Sequence, residues 1–144
     1  MKIADPAPNP APNPASNVET SLYNMIGGES KVRALVDRFY DLMDQSPDYY
    51  GIRKLHPESL HGSREKLFMF LSGWLGGPQL YTEAFGHPRL RARHLPFAIG
   101  TSERDQWMGC MTEAMVDVDI ETSMRERLVA SFANTADWMR NKEP

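Results

Sequence analysis

Apolar positions between residues 20 and 140 recur at steps of three and four, and no stretch alternates residue by residue as a half-buried strand would. Leu22, Met25 and Ile26 make one short helical turn before Gly27-Gly28. Val32, Val36, Phe39, Tyr40 and Met43 share one face of a second helix, expected over residues 30–45 and ended by Ser46-Pro47. A third helix, beginning near Ser59, turns Leu60, Ser63, Leu67, Phe70, Leu71 and Trp74 inward; Gly76-Gly77-Pro78 stops it, with glycine free to take the left-handed cap conformation. Ser102 with Asp105 three residues later reads as the capping box of a fourth helix, which buries Trp107, Cys110, Met111, Ala114, Met115 and Val118. The last, from about Glu121, presents Met124, Leu128, Phe132, Thr135 and Trp138 or Met139.

The pattern predicts an all-α fold of five helical pieces, with joins longer than a simple bundle uses. The loosest stretch is 79–100, irregular apart from a short helix around residues 88–94, and the fold is expected to open there to admit a cofactor. Residues 1–18 differ in kind: from Pro6 to Pro14 proline alternates with small residues. With no apolar side chains to bury, that segment is expected to be an extended tail, leaving residues 19–144 as one domain.

Composition narrows the function. Sixteen Lys+Arg against 19 Asp+Glu give a formal charge of −3, without the basic stripe that nucleic-acid binding needs. The single cysteine, Cys110, cannot form a disulfide within the chain. No apolar run is long enough to span a membrane, and Asp5, Pro6 and Asn9 interrupt the region where a signal peptide would be apolar, so a cytoplasmic location is expected. Nine methionines and three tryptophans suit either a core of adaptable side chains or a core wrapped round a large flat apolar ligand.

Four histidines are present, His56, His61, His87 and His94, and none forms a zinc-type pair. A lone histidine is ordinarily a surface or capping residue. His94 stands in a different context, the run Gly86-His87-Pro88-Arg89-Leu90-Arg91-Ala92-Arg93-His94-Leu95-Pro96-Phe97. An imidazole with apolar neighbours beyond it and three arginines leading into it suits a haem: the ring can bind iron, and guanidinium groups can pair with propionates.

From Ser21 to Asn141 the chain resembles a group II truncated haemoglobin. The residues that carry the resemblance are Gly27-Gly28, Arg38-Phe39-Tyr40, Phe70-Leu71, Trp74-Leu75-Gly76-Gly77-Pro78, Tyr81, the His94 run, and Glu103-Arg104-Asp105 leading to Trp107. They occur in order and at the intervals of that family. The resemblance implies a two-over-two helical sandwich around haem b, with His94 as the proximal iron ligand and its second ring nitrogen donating to a carbonyl.

It also implies a distal ligand site made by Tyr40, Trp107 and His56, with Ser63 where many globins have a histidine, and Leu67 one turn on. Phe70 and Phe97 would pack against the porphyrin. Arg93 and Lys66, or else Arg89 or Arg91, would meet the propionates. His56 departs from the phenylalanine or tyrosine usual at its position and is expected to add a titratable donor at the pocket edge; the alternative is a loop histidine turned to solvent.

The implied function is binding of O2 and related ligands (CO, NO, peroxide) for scavenging, sensing or redox chemistry rather than bulk oxygen transport. The competing readings are a peroxidase or NO-detoxifying enzyme needing an external reductant, and a cofactor-free helical interaction module. The chain is expected to be a monomer or weak dimer.

Overall fold

In the computed structural model, the described residues are 21–89, 94, 97 and 99–140, without the side chain of Trp138. The expected tail (1–18), Arg91, Arg93 and Pro96 lie outside them. Seven helices and one 3₁₀ turn occur among the described residues: α1 (Leu22–Ile26), α2 (Gly28–Gln45), the 3₁₀ turn Pro47–Tyr49, α3 (Tyr50–Arg53), α4 (His61–Trp74), α5 (Leu80–Phe85), α6 (Thr101–Asp117) and α7 (Thr122–Trp138). No strand is present among these residues.

The helix α2 packs on α4, α6 packs on α7, and α2 crosses to α6, which makes a two-over-two sandwich. Its core follows the expected stripes. Val32, Val36, Phe39, Tyr40 and Met43 are buried on α2, together with Leu35 and Leu42. Cys110, Met111, Ala114 and Met115 face them from α6, and Met124, Leu128 and Phe132 from α7. The Cys110 thiol donates to the Phe39 carbonyl at 3.2 Å, and burial pushes its pKa up to about 12.

The structure corrects the expected pattern at three points. The helix α4 is buried on two faces rather than one. Phe68 and Leu71 are buried, and the Arg33 guanidinium of α2 lies 3.9 Å from the centre of the Phe68 ring. Ser63, Leu67 and Phe70 are only partly covered by protein, because their face borders a cavity. The stretch after Pro78 is not wholly irregular, since α5 fills residues 80–85. The cap of α6 is made by Gly100 and Glu103: the Gly100 N–H donates to Glu103 Oε1 at 2.8 Å, and Ser102 already lies inside the first turn.

Two arginines tie α2 to α4 beside Tyr40. Arg64 donates to Asp41 Oδ1 at 2.7 Å and to the Asp37 carbonyl at 3.0 Å. Arg33 reaches both oxygens of Glu65, at 2.7 and 3.3 Å. At the end of α4, Gly76 takes a positive φ of 94° and the Gly77 N–H donates to the Ser72 carbonyl at 2.8 Å, the left-handed stop expected of this triplet.

Candidate functional site

The helices α2, α4, α6 and α7 wall a cavity of about 390 Å³, and Pro88, His94, Phe97 and Ile99 border it from between α5 and α6. That size lies within the range of cofactor sites, roughly 300–1,000 Å³. Tyr40 reaches it from α2; Ser63, Lys66, Leu67 and Phe70 from α4; Trp107 from α6. His94 and Phe97 border it from the α5–α6 segment, and His56 from the loop after α3. Every described residue expected at the site therefore meets at one cavity except Arg89, the alternative propionate partner, which is exposed and does not line it. His61 and His87 do not line it; both are exposed, and His87 Nδ1 accepts from the Arg89 N–H at 3.0 Å.

Tyr40 is 5% exposed and makes edge-to-face contacts with Phe39, at 5.0 Å between ring centroids, and with His56, at 5.8 Å. Its hydroxyl has no hydrogen-bond partner among the described residues. Burial pushes its pKa upward, beyond what the nearby Arg64 charge offsets, so the group is a neutral donor at physiological pH. Trp107 is held edge-on between Phe39 (5.4 Å) and Phe132 (5.6 Å). Its indole N–H, a donor with no accepting capacity, likewise meets no acceptor among the described residues. Two donors that border one cavity and meet no acceptor among the described residues are suited to a ligand that accepts.

His56 corrects the sequence reading. Its Nδ1 lies 2.8 Å from the Ile52 carbonyl, an acceptor, so that nitrogen carries the proton. In the neutral ring Nε2 then holds a lone pair, and it faces no protein partner among the described residues. Burial is the main cause holding the His56 pKa below its ordinary value; the hydrogen bond to the Ile52 carbonyl opposes it and the Arg53 charge adds to it. Nε2 is thus an acceptor at neutral pH and becomes a donor only after protonation, while Nδ1 donates to the Ile52 carbonyl throughout.

The residues fit a haem. No group of three His, Cys, Asp or Glu side chains able to hold a metal occurs among the described residues, so a metal here must bring its own in-plane donors. His94 offers one imidazole, and the cavity wall is largely aromatic and aliphatic, as a flat apolar macrocycle requires. The exposed Lys66 ammonium forms no ion pair among the described residues and lies 5.7 Å from the Phe85 ring centre, open to pairing with a carboxylate. Arg104 also borders the cavity but is already engaged by Asp137 at 2.7 Å and Asp105 at 3.1 Å.

Tyr81, Glu103, Arg104 and Thr135 also line the cavity, and none was expected there. Tyr81, Glu103 and Arg104 carry the family resemblance without thereby acquiring a place at the site.

The bacterial-like globin profile matches residues 21–141. The chain belongs to the bacterial-like globins and, among them, to the group II truncated haemoglobins. The group 2 truncated hemoglobin YjbI of Bacillus subtilis is 42% identical over 115 residues, covering 80% of this chain and 85% of that one. Among solved structures, the group II 2-on-2 hemoglobin of the plant pathogen Agrobacterium tumefaciens superposes with a TM-score of 0.84 at 42% identity, covering 90% of this chain and 100% of the other. The truncated oxygen-avid haemoglobin of Bacillus subtilis gives a TM-score of 0.78 at 41% identity, covering 85% and 100%. The cofactor of this globin is haem b, and its cavity is the place for it. It binds small ligands through that haem.

Proposed function

We propose that this truncated haemoglobin holds an O2-like diatomic ligand tightly, through donors from Tyr40 and Trp107, in the service of ligand scavenging, sensing or redox chemistry. Haem anchored by His94 supplies the iron to which such a ligand binds. The observation that carries the reading is the pair of donors, the Tyr40 hydroxyl and the Trp107 N–H, which border the His94 cavity and meet no acceptor among the described residues. Leu67 adds an apolar wall that donates nothing. Ser63 adds a short hydroxyl in place of an imidazole. Lys66, with Arg93, would meet the propionates, and Phe70 and Phe97 would pack against the ring. A relative of this chain is described as oxygen-avid, and slow release is what two donors produce.

In the same reading, residues 19–144 are the haem domain and 1–18 a tail apart from it, in keeping with the profile's span of 21–141. The test is the oxygen dissociation rate of Tyr40→Phe and Trp107→Phe, measured by stopped flow. Both should release oxygen faster than the wild type. Unchanged rates in both variants would remove the proposed network.

A second reading, a peroxide-consuming enzyme with an external reductant, is favoured by His56. Its neutral Nε2 borders the cavity and can take a proton from hydrogen peroxide. Peroxide-dependent oxidation of a phenolic donor that survives His56→Leu would exclude that role.

A further inference from the structure

Gln106 stands on α6 next to Trp107, partly buried, and its side chain reaches α3, just ahead of the loop that carries His56. Its Oε1 accepts the Ile52 N–H at 3.1 Å, and its Nε2 donates to Ser102 Oγ at 3.1 Å, which orients the amide. Ile52 is pinned a second time at its other end, where its carbonyl accepts His56 Nδ1 at 2.8 Å and the Leu55 N–H at 3.1 Å. The approach of Gln106 depends on a glycine. A Cβ at Gly51 would lie 2.4 Å from Gln106 Nε2 and 2.7 Å from Oε1, so any larger residue there displaces the amide.

The geometry points to Gln106, admitted by Gly51, as a positioning residue that fixes the ring orientation and tautomer of His56. It acts through the backbone of Ile52: the amide holds the N–H, and the carbonyl of the same residue holds the proton on Nδ1 and leaves Nε2 as an acceptor at the cavity. Since Gln106 and Trp107 are consecutive on α6, one helix sets both the distal indole and the loop imidazole. Gln106 does not itself line the cavity. This inference extends the reading in which His56 belongs to the distal site.

The test uses the haem-loaded ferrous protein with carbon monoxide, which is diamagnetic. Nitrogen-15 NMR of the His56 ring reports its tautomer, and the infrared C–O stretch reports the polarity around the ligand. The wild type should show one dominant Nδ1–H tautomer. Gln106→Leu and Gly51→Ala should each lose it, as mixed tautomers or exchange broadening. Gln106→Glu, which keeps an acceptor for the Ile52 N–H, should retain it. A wild-type tautomer in both Gln106→Leu and Gly51→Ala, with folding intact by circular dichroism, overturns the positioning role.

The C–O stretch separates this result from the reading beneath it. If His56→Leu leaves the stretch unchanged, His56 has no part in the ligand site, whatever the tautomer shows. If His56→Leu shifts it, Gln106→Leu should shift it too and add nothing in the double variant. Full additivity would mean that Gln106 acts by another route, and the inference fails.

Discussion

The rings of Tyr40 and His56 meet edge to face, 5.8 Å between centroids and 78° between planes, on the wall of the haem cavity. One comes from the C-terminal third of a long helix and the other from a loop. The contact joins a rigid donor to an imidazole whose protonation state is set elsewhere. It gives the site two kinds of polar group, one fixed as a donor and one that changes role with pH.

Tyr40→Phe should separate stability from ligand retention. The hydroxyl has no partner among the described residues, so its removal should leave the haem-free protein as stable as before to within about 1 kcal/mol. With a ligand it should remove one hydrogen bond, roughly 0.5–1.5 kcal/mol, and speed oxygen release about two- to tenfold. Urea unfolding and stopped-flow release measure the two effects on one variant. Equal losses in both would contradict an unpartnered hydroxyl.

The pH dependence of stability follows from His56. Its native pKa is lowered, chiefly by burial, so the unfolded chain binds the proton more readily. The neutral ring therefore contributes fully above the unfolded value of about 6.5, and that contribution is lost as pH falls through the lower native value. As the pH falls below about 6.5, the urea midpoint should drop more steeply in the wild type than in His56→Phe. Parallel curves would mean that the imidazole titrates normally.

Lys66→Glu should loosen the haem without disturbing the helices. The ammonium is exposed, so its pairing with a propionate is worth only about 0.2–1 kcal/mol, a factor of up to about five in retention. Transfer of haem to an apomyoglobin acceptor should quicken by that factor or somewhat more, since the charge is reversed. The difference should shrink in high salt. Equal transfer rates at low salt would mean that Lys66 faces no carboxylate.

Two glycines should respond in opposite directions to alanine. A Cβ on Gly77 would fall 2.5 Å from atoms of the Tyr23 ring, whereas one on Gly62 meets nothing within 4 Å. Gly77→Ala should cost about 1–3 kcal/mol through overpacking. Gly62→Ala, in the first turn of α4, should gain about 0.5 kcal/mol from reduced freedom of the unfolded chain. Thermal melts of the two variants should move to opposite sides of the wild type.

What the sequence could show was set by periodicity and by local glycine chemistry. The stripe on α2 placed Tyr40 inward because its neighbours at steps of three and four are apolar. The stop at residues 76–78 was legible because only glycine tolerates that backbone. Phe68 was lost because α4 is covered on two sides, by α2 and by the cavity, which erases a one-sided pattern. The helix α5 has six residues, too few for a 3.6-residue period to register. The acceptor state of His56 depends on a carbonyl four residues back, and the bond that steadies Ile52 comes from Gln106, 54 positions away. Neither leaves a trace in composition or spacing.

The sulfur of Cys110 bonds to the Phe39 carbonyl inside the sandwich, with its ionisation suppressed. An alkylating reagent can reach it only when α2 and α6 part. Its labelling rate therefore works as a clock for opening of the whole fold, and a cell that exposes this chain to oxidants has no ready handle by which to glutathionylate it.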